Sequence, residues 1–145
     1  MRALGIDLGS KRIGVATSDR SGTIATPLTV LKRSGSRESD YQSIAKLVDE
    51  YEIECVVVGL PLHMNGNYGD AAKSALAEVQ QLTSVLSVPV LTFDERRTTV
   101  TADAILIEQN MNAQERRKVI DKVAAAVMLQ SWLDGLKMTE APNCD

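Results

Sequence analysis

Three acidic positions stand where a carboxylate is costly. Asp7 lies in Ala3-Leu4-Gly5-Ile6-Asp7-Leu8. Strand alternation there puts Leu4, Ile6 and Leu8 on one face and Ala3, Gly5 and Asp7 on the other. Aspartate is disfavoured in strands, and its small neighbours leave space above it. The Asp94-Glu95 pair ends an apolar run that turns polar at Arg96-Arg97-Thr98-Thr99. Alternation sends these two acids to opposite faces, so at most one converges with Asp7. Asp121 shares a helical face with Ala124, Ala125, Met128 and Trp132. The segment Val123–Leu129 is apolar all round, so that helix must be largely buried, and an acid joined to it needs compensation. Each acid also has an ordinary reading. Asp7 serves as a turn aspartate before Gly9, the pair as a helix N-cap, and Asp121 as the partner of Lys122 or Arg117.

Convergence of Asp7, Asp121 and one of the middle pair would be repulsive without a cation. Hard oxygen donors with no Cys or His beside them suit Mg²⁺ or Mn²⁺. Ions held this way serve phosphodiester hydrolysis. The sole histidine, His63, can anchor neither a His-rich zinc site nor a firm Ser-His-Asp triad. The cations match such a substrate. Nine of the sixteen Lys and Arg residues fall within five positions of Asp7, Glu95 or Asp121, about twice the number that even spacing gives. Arg12, Arg96 and Arg97, with Lys11, are placed to orient phosphate.

Composition limits the alternatives. The chain has 145 residues and a formal charge of −3, which argues against binding nucleic acid through bulk charge while leaving room for a local basic patch. The aromatics are Trp132, Phe93, Tyr41, Tyr51 and Tyr68, too few for a platform that stacks successive bases. Cys55 and Cys144 suggest no disulfide framework, and a reducing cytoplasm is the expected compartment. No apolar run is long enough to cross a bilayer and no signal-peptide pattern opens the chain.

The positioning elements follow from periodicity. Arg2–Leu8 and Arg12–Thr17 read as a hairpin around Gly9-Ser10-Lys11, and Thr23–Lys32 as a third strand. Ser39 with Gln42 resembles a capping box for a helix whose apolar face is Tyr41, Ile44, Leu47, Val48 and Tyr51. Cys55–Leu60 reads as a central parallel strand, Gly59 to Gly69 as a loop, Asp70–Leu86 as a helix and Val88–Phe93 as a buried strand. A helix is expected over Thr98–Glu108, and a last one from Asn112 to about Leu136. The expected architecture is α/β: a mixed five-stranded sheet, three antiparallel strands then parallel strands, flanked by helices. A single domain over residues 1–138 with a flexible tail at 139–145 is expected.

Asp7-Leu8-Gly9-Ser10 followed by Gly14 resembles the first phosphate loop of the actin and sugar-kinase superfamily. That fold needs a second lobe carrying a second loop, and this chain has neither. A fuller resemblance runs along most of the chain. The residues are Gly5-Ile6-Asp7-Leu8-Gly9-Ser10-Lys11-Arg12-Ile13-Gly14-Val15-Ala16, Ser18-Asp19, Val58-Gly59-Leu60-Pro61, Asp94-Glu95-Arg96, Thr98-Thr99 and Asp121-Lys122-Val123-Ala124-Ala125. Together they resemble the RuvX (YqgF) family of Holliday-junction-resolvase-like proteins. The resemblance implies a ribonuclease H-like fold and a cytoplasmic bacterial nuclease that matures the 5′ end of precursor 16S rRNA, with DNA junctions as the alternative substrate. It implies Asp7 and Asp121 as catalytic, metal-holding acids. Glu95 is taken as the middle acid for its longer reach, with Asp94 as runner-up. Asp19 closes the hairpin motif and is read as a turn residue, with a further metal ligand as the alternative. The implied partner is nucleic acid, as precursor rRNA or DNA junctions, with ribosomal particles beside it and no membrane, and the chain would act as a monomer or homodimer. His63 and Arg97 depart from the usual family pattern.

Overall fold

In the computed structural model, residues 1–60, 69–94, 105–107, 109 and 111–140 are described. The elements in chain order are β1 (Ala3–Leu8), β2 (Arg12–Ser18), β3 (Ala25–Lys32), α1 (Arg37–Glu50), β4 (Cys55–Leu60), α2 (Asp70–Val85), β5 (Val90–Asp94) and α3 (Ala113–Glu140). They build one five-stranded sheet in the order β3-β2-β1-β4-β5. The β1–β2 and β2–β3 pairs are antiparallel; β1–β4 and β4–β5 are parallel. This is the mixed topology that the strand and helix order implies.

The pleat sorts the sheet's side chains into two cores. Leu4, Ile6, Ile13, Val15, Val56 and Val58 face α1 and α2, where they meet Tyr41, Ile44, Val48, Val79 and Leu82. Ala3, Ala16, Cys55 and Val57 face α3, where they meet Ala125, Met128, Leu129 and Leu133. The second face carries mainly small residues on β1 and β2, and this is what lets α3 lie close. A Cβ on Gly5 would fall 2.9 Å from the Leu129 Cβ, and one on Gly14 would overlap the Asp121 carbonyl. The small residues beside Asp7 therefore do not leave open space; the backbone of α3 occupies it.

Several element boundaries differ from expectation for identifiable reasons. The third strand begins at Ala25 instead of Thr23, because the Thr23 and Ile24 amides donate to the Asp19 carboxylate at 2.7 and 3.2 Å. The helix-capping residue of α1 is Ser36, whose Oγ accepts from the Ser39 amide at 3.3 Å. Ser39 is thus a residue of the first turn and not a cap. β5 begins at Val90, after Pro89, which has no N–H to contribute. The Asn112 cap stands as read: its Oδ1 accepts from the Glu115 amide at 2.9 Å, and its Nδ2 donates to Glu115 Oε1 at 2.6 Å. From there α3 runs to Glu140, past the expected end at Leu136. Residues 105–107 are helical; the rest of the expected Thr98–Glu108 helix falls outside the described residues. Among those residues, no helix is long and apolar enough to cross a membrane.

Candidate nucleic-acid and metal site

Asp7 closes on Asp121 through a single glycine. In the antiparallel β1–β2 register the residue opposite Asp7 is Gly14. Directly opposed residues point their side chains to the same face of a sheet. The Gly14 face is the one on which the Asp121 backbone rests. Two acids far apart in the chain thus share one patch on the α3 side, near the C-terminal end of β1. Both are partly exposed, with the Asp121 side chain at 23%.

The ordinary reading of Asp121, a pair with Lys122 or Arg117, is not what the structure shows. Its Oδ2 accepts from Arg12 Nε at 2.8 Å. Arg12 opens β2 immediately after the β1–β2 turn, and its side chain is 48% exposed. Among the described residues its terminal nitrogens carry no bond, so the outer half of the guanidinium faces solvent. Lys11 beside it is exposed as well. This end of the hairpin therefore presents positive charge next to two carboxylates.

The middle pair is divided by the pleat. Phe93 packs against the α3-side core, so Asp94, aligned with Leu60 across the parallel β4–β5 register, is turned to the α1–α2 side. Asp94 is therefore poorly placed to join Asp7. Glu95, Arg96, Arg97 and His63 lie outside the described residues. Among the described residues, no group of three His, Cys, Asp or Glu side chains could hold a metal ion.

Asp19 is a turn residue, as read from its place after the hairpin. Its carboxylate accepts from the Thr23 and Ile24 amides and from Ser21 Oγ. The Thr23 amide, then the Ser21 hydroxyl, then the Ile24 amide hold its carboxyl down at about 2.

Sequence reasoning missed the second acid cluster. Glu78 on α2 is buried, with its side chain 5% exposed. Arg33 forks onto it, Nη1 to Oε1 at 2.8 Å and Nη2 to Oε2 at 2.9 Å. The Tyr41 hydroxyl donates to Oε1 at 2.7 Å. Burial pushes the Glu78 carboxyl up, but the bonds from Arg33 and Tyr41 and the charges of Arg33 and Arg37 outweigh it and leave it below its ordinary value. Burial, then the Glu78 bond, pushes the Tyr41 hydroxyl up. The signal was available: Glu78 falls at helical spacing between Ala75 and Leu82, both buried.

Comparison with known proteins identifies the family. A candidate pre-16S rRNA nuclease of Thermoanaerobacter pseudethanolicus is 45% identical over 138 residues, covering 94% of this chain and 99% of that protein. One from an Anaeromyxobacter species is 47% identical over 135 residues, covering 93% and 98%. Among solved structures, Thermus thermophilus RuvC in complex with a Holliday junction substrate superposes with a TM-score of 0.61 at 18% identity, covering 96% of this chain and 98% of that one. At that identity the likeness speaks for a shared ribonuclease H-like fold. The model of the RuvX family, described as Holliday junction resolvase, matches residues 1–135, and the chain belongs to that family.

Proposed function

We propose that this chain is a nuclease that hydrolyses phosphodiester bonds in structured nucleic acid, with the 5′ end of precursor 16S rRNA as its substrate. The observation that carries the reading is the Asp7–Gly14–Asp121 stack, which gathers two acids beside Arg12. The names of relatives at 45% and 47% identity support the choice of RNA. The cytoplasm is the matching compartment, and precursor ribosomal particles are the matching partner.

The residues present fit a divalent ion. Asp7 and Asp121 offer hard oxygen donors, and the Arg12 bond to Asp121 Oδ2 leaves Oδ1 for an ion. In this reading Asp7, Asp121 and Glu95 would hold Mg²⁺ or Mn²⁺. A bound ion supplies Lewis acidity and neutralises charge that develops on phosphate oxygens. The chain's own part is placement. Gly14 sets the spacing of the two acids by letting α3 rest on β2. The outward half of Arg12 and the Lys11 ammonium address the substrate phosphates, with Arg96 and Arg97 as further phosphate contacts. The reaction adds water across one P–O bond: the water oxygen joins phosphorus, and the 3′ oxygen leaves and takes up a proton.

The test is cleavage of a precursor-like RNA with Mn²⁺ by the wild type, Asp7→Asn and Asp121→Asn. The expected result is cleavage by the wild type alone; equal rates in all three proteins overturn the assignment. A second substrate, a four-way DNA junction, is favoured by the description of the family model. Running both substrates side by side decides between them. Binding that survives both substitutions and ignores chelators, with no cleavage, would mark a non-catalytic binding module.

A further inference from the structure

On the α1–α2 side of the sheet, a cavity of about 440 Å³ opens beneath the β1–β2 turn, lined among others by Gly9, Ser10, Arg33, Arg37, Asp40 and Glu78. Its two arginines are matched by its two carboxylates, so it offers no excess charge to a phosphate. Its wall shows instead how the turn is held. Arg33 grips the turn at two points: its Nε donates to the Gly9 carbonyl at 2.8 Å, and its amide donates to the Lys11 carbonyl at 2.9 Å. The turn is closed on itself by the Gly9 amide, which donates to the Arg12 carbonyl at 2.9 Å. The terminal nitrogens of Arg33 are fixed in turn by the two Glu78 oxygens. At the other end of the same turn, Arg12 reaches Asp121 on the opposite side of the sheet.

We propose that Glu78 and Arg33 are positioning residues for the Asp7–Asp121 site. Glu78 orients the Arg33 fork, Arg33 fixes the carbonyls of Gly9 and Lys11, and the fixed turn delivers Arg12 to Asp121 while it anchors the strand end that carries Asp7. The planar guanidinium suits this work because its donors point in set directions; one ammonium cannot reproduce the fork and the Gly9 bond together. This inference rests on the nuclease reading, and it adds residues from the far side of the sheet to the site's machinery.

The experiment uses the full chain and three variants, Arg33→Lys, Glu78→Gln and Tyr41→Phe, at a temperature where each is folded by circular dichroism. Tyr41→Phe removes a bond to Glu78 but leaves the Arg33–Gly9 contact, so it reports a loss of stability without a loss of the grip. Amide hydrogen exchange at Gly9 is read by NMR, and kcat and KM on a precursor rRNA fragment with Mn²⁺ are read separately. Arg33→Lys and Glu78→Gln are expected to speed exchange at Gly9 about tenfold or more, with Ile6 still protected. They are expected to lower kcat about tenfold or more while KM stays within about threefold. Tyr41→Phe is expected to lower Tm and change neither. Wild-type exchange and kcat in a folded Arg33→Lys overturn the proposal. So does a kcat loss in Tyr41→Phe equal to that in Glu78→Gln at matched stability. If the wild type cleaves neither RNA nor DNA, the nuclease reading fails by itself, and the exchange at Gly9 alone upholds or overturns the grip on the turn.

Discussion

The two faces of the sheet treat a carboxylate in opposite ways. On the α1–α2 side Glu78 is sealed from water, and both of its oxygens are taken by a forked arginine, one of them also by a tyrosine hydroxyl. On the α3 side Asp121 is nearly a quarter exposed and is met by a single guanidinium nitrogen of an arginine that is itself half in solvent. Every bonding direction of Glu78 that matters has been filled by the protein. Asp121 keeps capacity for something that arrives from outside. Charge type alone does not separate these two acids; the degree of satisfaction does.

Breaking the satisfied side should cost the most. Glu78→Ala leaves Arg33 partly buried beside an empty place, and urea denaturation should show a loss of about 3–5 kcal/mol. A loss under about 1 kcal/mol would mean that the pair is no stronger than an exposed one. Breaking the open side should do the reverse. Asp121→Asn should lower the cleavage rate about 100-fold or more, with a stability change of less than about 1 kcal/mol because its ion pair is solvated. Gly14→Ala joins the two effects. It should cost about 1–3 kcal/mol through overpacking against α3, with a fall in activity greater than the lost folded fraction explains.

The sequence made the open side easier to see than the sealed one. Asp7 and Asp121 break an apolar pattern, and a broken pattern is visible in one dimension. The strands β1, β2 and β4 also declare themselves, because runs such as Cys55–Leu60 are apolar on both faces. Glu78 breaks its pattern too, yet an acid on a helix between exposed Ala77 and the Gln80-Gln81 pair beyond Val79 reads as the edge of the solvated face. Its partner Arg33 comes from a loop 45 positions away, a pairing that no local spacing encodes. The same holds for Arg12 with Asp121, 109 positions apart. The misplaced cap at Ser39 and the overlong third strand both turn on side-chain oxygens outside the apolar pattern: Ser36 caps the helix three residues earlier, and Asp19 takes amides that alternation had assigned to the sheet.

The smallest effect concerns acid. The Asp19 carboxyl is held at about 2, below its ordinary 3.8, so the charged form is favoured in the folded chain. Its contribution is present above the unfolded value and is lost as pH falls toward the folded one. Wild type should therefore exceed Asp19→Asn in stability at pH 5, and the gap should close between about pH 4 and pH 2. A gap that stays constant across that range would assign the turn's stability to its backbone alone.

Glycine within a strand is ordinarily an attractive target for engineers, since alanine there stiffens the unfolded chain at little expense to the native one. Gly14 offers no such opportunity. A single added methyl would lift the last helix from the sheet and re-aim its acid in the same movement. Efforts to toughen this scaffold must leave that spot alone, because the seat of the last helix and the place of Asp121 are adjusted by the same atom.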